Sequence, residues 1–405
     1  MGLSQNIKSI ILFLMVLIEV LSSTYWQNTL SMNACRWLHF ISAIGVVILL
    51  FSKTVYYGKG LTQYHWVSFI LLLILCAWSI PKLNHLYLLN SLDFTHADML
   101  PVIKIMCQRW ISASGVYTLI PEIWGGVMPV YLPAMWIPFV PAILFDFDLR
   151  WITYGMLLIS ILVMLLSHRT FLGTLMIFIL IGLWFDYVLN VRNETLVLAE
   201  EGVVYAYYIG LVISLYKKNV MATGILVALC MLSRYGIAFY SIALLLYYLK
   251  WDDKSKLVKY AVSATTTVVL LITVTGAWGN LNSFVNLSGN YLSAISTNPN
   301  KYLTVMEEGL GFSSMAGIDH YTQVYWLQII LLVLVAVVMI LTLKKNNQWY
   351  KLAWLKLTLV VFYNFIVIPY PYLIYTSVWV SIGILYFYVD HTPDNSLNLT
   401  NASTH

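Results

Sequence analysis

The run Lys217-Lys-Asn-Val-Met-Ala-Thr-Gly224-Ile-Leu-Val-Ala-Leu-Cys230-Met-Leu-Ser-Arg234-Tyr-Gly-Ile-Ala-Phe-Tyr240-Ser-Ile-Ala-Leu-Leu-Leu-Tyr-Tyr-Leu-Lys250 carries a single charge, Arg234, between its terminal lysines. A helix on the surface of a soluble domain shows a polar face every turn, and neither arm of this run has one. Each arm is also shorter than the roughly 20 residues needed to cross about 30 Å of hydrocarbon. Short or broken apolar helices persist at membrane depth only when buried among other helices or lining a polar cavity. The run therefore reads as the interior of a many-helix membrane protein, with Arg234 at a break.

The rest of the chain agrees. Of its 405 residues 60% are hydrophobic and 10% charged, with a mean hydropathy of +0.81, against about 45–50% and 25% in soluble domains. A cytosolic enzyme, a disulfide-stapled secreted protein and a disordered chain are excluded. The 22 Lys+Arg and 17 Asp+Glu leave a net charge of +5, but the basic residues stand singly or in pairs between apolar runs. That is the pattern of membrane loops and gives no reason to expect a nucleic-acid partner. Cys35, Cys76, Cys107 and Cys230 have no CxxC spacing, so neither a disulfide framework nor a cysteine zinc site is expected.

Candidate spans are 7–24, 37–53, 65–81, 132–147, 150–167, 170–187, 202–216, 219–233, 235–250, 257–276, 325–343, 351–368 and 371–389. The expected fold is all-α, a polytopic helical protein of about 11–13 membrane segments. It forms one integral-membrane domain over 1–390, followed by a short polar tail, 391–405. Lys53, Lys59, Lys217-Lys218, the run from Lys250 to Lys256 and Lys344-Lys345 belong on the cytoplasmic side by the positive-inside rule, with the N-terminus inside. Loops 82–131 and 277–324 are then outside. The parity of 132–202 fails if all its short spans cross, so one of them, expected within 170–200, is re-entrant or miscounted.

The first outer loop is dense in unusual residues. Asp93, His96 and Asp98 precede Pro101, and Met99, Val102, Ile103, Met106 and Trp110 recur at helical spacing, which predicts a helix over 99–111 lying in the membrane interface. Trp124-Gly-Gly126 and Pro129-Val-Tyr131-Leu-Pro133 follow, the composition of a loop built to one shape. A carboxylate there could take a proton from a hydroxyl. A divalent ion held by Asp93, His96 and Asp98 is the weaker alternative, because the spacing is loose.

Arg234 costs at least about 2.5 kcal/mol to insert at membrane depth without a partner, and its planar guanidinium suits a phosphate. Arg169, beside His168, is a further candidate, although snorkelling explains it equally well. Asp146, Asp148 and Arg150 in Phe-Asp-Phe-Asp-Leu-Arg-Trp read as an ion-paired cap between two helices. Glu200-Glu201-Gly202 precede a helix, where acids complement the positive end of its dipole.

Asp98 … Trp110 … Gly115-Val-Tyr117 … Pro129-Val-Tyr131-Leu-Pro133-Ala-Met-Trp-Ile-Pro138 resembles the GT-C membrane glycosyltransferases, in particular the polyprenyl-phosphate-sugar-dependent family 87. A second similarity runs through Glu201-Gly202-Val, Lys217-Lys218, Ala-Thr-Gly224, Arg234-Tyr-Gly and Lys250-Trp, so that it covers about 90–255. The chain departs from that pattern at Val203, where the family has Gln, and at Arg234, where the family has Lys and then a Pro that this chain lacks. Two extra helices also precede the acidic loop.

The resemblance implies Asp98 as general base, with Asp93 as runner-up, and Arg234 on the donor phosphate. His96, Tyr117, Tyr131 and Arg169 would be further substrate contacts. A sugar, mannose or a similar hexose or pentose, would pass with inversion from a polyprenyl-phosphate donor to a lipid-linked or glycan acceptor, at the outer face of a bacterial cell membrane. No nucleotide cofactor is needed. Two other classes compete. A transporter or flippase of lipid-linked saccharides would show repeated halves, and none is evident. A polymerase of such saccharides would carry a long basic loop late in the chain, where 277–324 has only Lys301 before Asp319.

Overall fold

The computed structural model describes residues 5–52, 65–92, 98–123, 126–167, 171–192, 194–251, 254–281, 292, 295–296, 299–342 and 347–389. Among these no strand forms beyond one isolated bridge pair, Ile120 and Val127. The principal helices are α1 (Gln5–Ser22), α2 (Met32–Phe51), α3 (His65–Leu89), α4 (Met99–Ile111), α5 (Pro133–Trp136), α6 (Val140–Leu144), α7 (Arg150–Ser167), α8 (Phe171–Asn190), α9 (Glu194–Val197) and α10 (Glu201–Tyr216). They continue with α11 (Val220–Met231), α12 (Ala238–Trp251), α13 (Lys254–Val274), α14 (Asn300–Glu308), α15 (Ser313–Ala316), α16 (Tyr321–Thr342), α17 (Gln348–Asn364) and α18 (Tyr375–Val389).

The protein is an all-α, multi-pass integral membrane protein. Seven of the described helical stretches are long and apolar enough to cross a bilayer: Met32–Phe51, Trp66–Leu89, Arg150–Ser167, Phe171–Asn190, Lys254–Val274, Ile318–Thr342 and Pro371–Val389. Four shorter apolar stretches, Pro133–Leu144, Glu201–Tyr216, Val220–Met231 and Tyr235–Lys250, are the short segments expected from the sequence.

Helix α18 is apolar all round and buried along its whole length, packed by α1, α8, α10 and α17, as such a helix must be. Helix α10 lies beside it and against α7 and α11. A Cβ on Gly202 would come within 2.3 Å of the Thr153 carbonyl oxygen. Glycine there lets α10 begin in contact with α7 and seats its neighbour Glu201 in the interior. On the periphery, α16 exposes Ile330, Val333, Leu334, Val337 and Leu341, a lipid-facing row.

Among the described residues, the pair Lys356–Glu19 lies wholly inside the bundle. Lys356 Nζ in α17 donates to Glu19 Oε2 in α1 at 2.7 Å and to Ser377 Oγ in α18 at 2.7 Å, while Ser381 Oγ donates to Glu19. These bonds pin three helices in one register.

Two boundaries differ from the sequence expectation. The segment 132–147 is shorter than a span: its helical part is Pro133–Leu144. Pro138 and Pro141 break it into α5, a 3₁₀ turn and α6, and its 12 helical residues over Pro133–Leu144 rise about 18 Å. Its start bonds Leu232 (Ala134 N to Leu232 O, 3.2 Å), next to Arg234, and its exit leads to Arg150, at the end of α7 that meets Tyr87. Helix α8, with 20 residues, is long enough to cross. The first loop begins after Leu89 and not at 82, because α3 continues past Pro81 for two further turns.

The helix expected over 99–111 is present as α4, with Leu100, Val102, Ile103, Met106 and Cys107 buried. Trp110 Nε1 donates to the Val274 carbonyl at 2.9 Å. Arg150 pairs with Asp148 at 2.5 Å and donates to the Tyr87 and Asn90 carbonyls, which makes it the ion-paired cap read from the sequence.

The late loop folds back on the bundle. Arg36 donates through Nε to Gly309 O at 3.0 Å and through Nη2 to Glu307 O at 2.9 Å. Ile295, Tyr302 and Met306 pack on Val367 and Ile368 in a second apolar cluster. A Cβ on Gly309 would come within 2.1 Å of the Pro369 carbonyl oxygen, so the loop closes down only with glycine there.

Candidate functional site

Arg234 occupies the break between α11 and α12. Its backbone is extended ahead of a 3₁₀ turn, Tyr235–Ile237, and its N–H bonds the Cys230 carbonyl at 2.8 Å, ending α11. The side chain turns into the protein and keeps 23% of its surface open. Its Nη2 donates to Glu200 Oε1 at 3.0 Å and, more closely, to Glu201 Oε1. Neither glutamate exposes any surface.

Glu200 is the N-cap of α10 and Glu201 its first residue. The sequence explanation, acids at a helix start, holds as far as it goes but misses their part in this cluster. The signal was available: two consecutive acids, followed by an uncharged run to Lys217, have no water to face once that run is buried.

Asp98, the N-cap residue of α4, lies close enough that its charge acts on Glu200, Tyr131 and Tyr302. Tyr131 and Tyr372 feel both Glu200 and Arg234. Tyr372 Oη lies 3.2 Å from the sulfur of Met99, the residue after Asp98. The expected base, the expected phosphate arginine and the expected Tyr131 thus share one cluster, to which the structure adds Glu200, Glu201, Tyr302 and Tyr372.

Tyr117 plays a supporting part. It accepts from Trp136 Nε1 at 3.1 Å and donates to the Tyr131 carbonyl at 3.3 Å, which fixes the loop that presents Tyr131. Tyr205 likewise donates to the Tyr372 carbonyl at 3.0 Å, and Tyr207 to the Ala134 carbonyl at 3.0 Å. Asp93, His96, Trp124 and Arg169 lie outside the described residues, as does the tail after Val389. Among the described residues no group of three or more His, Cys, Asp or Glu could hold a metal ion.

Burial pushes the Glu200 carboxyl above the ordinary carboxylate range; Arg234 opposes this, and Asp98 adds to it. Burial works against the Arg234 charge, but Glu201 and Glu200 outweigh it, so the guanidinium stays protonated. Two buried acids sharing one arginine, with Asp98 acting on Glu200, favour retention of a proton among them. Glu200 Oε2, Glu201 Oε2 and Arg234 Nε are buried without a partner in the protein. Two acceptors and one donor left unpaired in one place suit a ligand that brings both hydroxyl and anionic oxygen groups.

Comparison with known proteins gives no match: no protein family, no curated protein and no solved structure corresponds to this chain. The all-α membrane fold and the cluster around Arg234 are therefore what the functional reading stands on.

Proposed function

We propose that the protein is an integral-membrane glycosyltransferase of the GT-C type that moves a sugar from a polyprenyl-phosphate donor to a hydroxyl of a lipid-linked or glycan acceptor. The observation that carries this reading is the arginine bound to two buried glutamates beside Asp98, in a chain with few other charges. An acceptor hydroxyl needs a base, and Asp98 is the acid of the cluster on the interfacial helix. The hydroxyl oxygen attacks the anomeric carbon, the bond from that carbon to the phosphate oxygen breaks, and the phosphate leaves with the electron pair. The hydroxyl proton passes to Asp98, and the configuration at the anomeric carbon inverts.

Arg234 has the right chemistry to neutralise the departing phosphate. It spends only Nη2 on the glutamates and keeps part of its side chain open, so the rest of the guanidinium serves the donor. Glu200 and Glu201 hold the guanidinium in place. The site faces the outside of a bacterial cell membrane in this reading, where lipid-linked donors are presented.

The test is transfer from a panel of radiolabelled polyprenyl-phosphate sugars to a glycan acceptor in detergent, using wild type, Asp98→Asn and Arg234→Lys. Turnover by wild type with loss in Asp98→Asn supports the reading. Movement of lipid-linked saccharide across vesicles without any transfer would assign the site to a flippase. Transfer only from oligosaccharide-diphosphate donors would assign it to a polymerase.

A further inference from the structure

His39 lies two turns into α2, about 10 Å from its start, and exposes no surface. Ala43 and Val46, one and two turns further along the same face, are fully buried as well. Both ring nitrogens of His39, Nδ1 and Nε2, are buried without a hydrogen-bond partner in the protein. A neutral imidazole has one N–H to give and one lone pair to fill, and a charged one has two N–H groups to give. Buried groups of this kind are hydrogen-bonded, either within the protein or to internal water.

The ring stands beside the pair Lys356–Glu19: the Lys356 charge acts on it, and the Glu19 backbone carbonyl is close by. Lys356 has no donor to spare. Its three N–H bonds go to Glu19 Oε2 at 2.7 Å, Ser377 Oγ at 2.7 Å and Ser377 O at 3.0 Å. The Glu19 carbonyl already accepts from Ser23 N and Ser23 Oγ. Glu19 Oε1 differs. Among the described residues it accepts from Ser381 Oγ alone, at 3.1 Å, in a bond that Ser381 shares with Oε2, and a carboxylate oxygen has two acceptor positions. Water carries donors and acceptors in the smallest volume, and it is held in protein interiors where two to four polar groups converge.

We propose that His39 and the Lys356–Glu19 pair bind internal water and form a proton-exchange site inside the bundle, separate from the Arg234 cluster. One water donates to the bare ring nitrogen and the protonated nitrogen donates to a second water, while an O–H of either reaches Glu19 Oε1. The exchange step balances. A hydronium on one side gives its proton to the bare nitrogen and becomes water. The water on the other side takes the proton from the opposite nitrogen and becomes hydronium. The ring ends neutral in its other tautomer, and Lys356 and Glu19 keep their charges throughout. Buried ionisable side chains that face a membrane bundle's interior are where such relays are found.

The experiment uses the full-length protein with isotope-labelled histidine in phosphatidylcholine proteoliposomes, and reads magnetisation transfer from water to the ring nitrogens by solid-state NMR. His39→Gln or His39→Asn assigns the His39 signals by their loss. Wild type should show transfer from water to both His39 nitrogens, with the two tautomers in exchange. Lys356→Met with Glu19→Leu, which leaves neither charge unpaired, should lose the water transfer while the His39 signals persist. Glu200→Gln, in the other cluster, should leave it unchanged. His39 signals without water transfer in wild type would overturn the water site, and a single fixed tautomer would overturn the exchange. Transfer undiminished in the double variant would overturn the part given to the pair, and loss in Glu200→Gln would overturn the separation of the two sites.

Discussion

Arg234 donates through a single nitrogen, Nη2, to both Glu200 Oε1, at 3.0 Å, and Glu201 Oε1, and neither glutamate exposes any surface. Two adjacent carboxylates at the start of α10 can be dry together because one guanidinium, delivered from the break between α11 and α12, serves them both. Removing it strands two buried acids. Arg234→Ala should cost about 3–5 kcal/mol in stability, and Arg234→Ala in a Glu200→Gln, Glu201→Gln background clearly less. Thermal unfolding of the purified variants measures both; equal losses would mean that the three groups are not coupled.

The pH dependence of stability follows from Glu200. Its carboxyl titrates above the ordinary value of 4.5 because burial disfavours its charge. A proton that the folded protein holds and the unfolded chain releases stabilises at low pH, and the stabilisation is lost as pH climbs through the folded value. Wild type should therefore lose melting temperature as pH rises above the ordinary glutamate range. Glu200→Gln should show a flatter profile over the same window.

Arg36 makes a prediction about the late loop. Its guanidinium is buried and bonds two consecutive parts of that loop, Glu307 O and Gly309 O. Hydrogen bonds from a charged donor contribute about 1.5–3 kcal/mol each. Arg36→Gln should raise cleavage after the exposed Glu307 and Glu308 by a glutamate-specific protease at least about tenfold. An unchanged cleavage rate would show that the apolar cluster around Tyr302 holds the loop without Arg36.

The pair Lys356–Glu19 separates packing from charge. Lys356→Met alone leaves Glu19 buried and unpaired and should cost about 3–5 kcal/mol, whereas Lys356→Met with Glu19→Leu should recover most of that loss. Thermal denaturation of the two variants side by side makes the comparison.

The sequence carried the fold a long way. The helix over 99–111 and the short arms around Arg234 were legible because apolar periodicity and segment length are local properties. The Asp148–Arg150 cap was legible because its partners are two residues apart. What it hid was long-range. Nothing in Glu200-Glu201 names Arg234, more than thirty residues later, as their partner, and the usual meaning of acids before a helix sufficed to explain them. Segment 132–147 looked like a span because its composition is apolar. Its shortness was legible from its length, whereas its division at Pro138 and Pro141 into α5, a 3₁₀ turn and α6 shows only in the structure. Lys356 and Glu19 each sit in an apolar run as a lone charge, and only packing joins them.

The central claim is that the acids and the arginine at this end of the bundle transfer a sugar. The direct measurement is single-turnover transfer from radiolabelled polyprenyl-phosphate sugars by wild type and Asp98→Asn, with melting temperatures recorded on the same samples. Wild type should transfer from at least one donor, and Asp98→Asn should fall about 10²–10⁴-fold with its melting temperature kept. Full transfer by a stably folded Asp98→Asn would contradict the assignment of the base, and no transfer by wild type from any donor would contradict the claim itself.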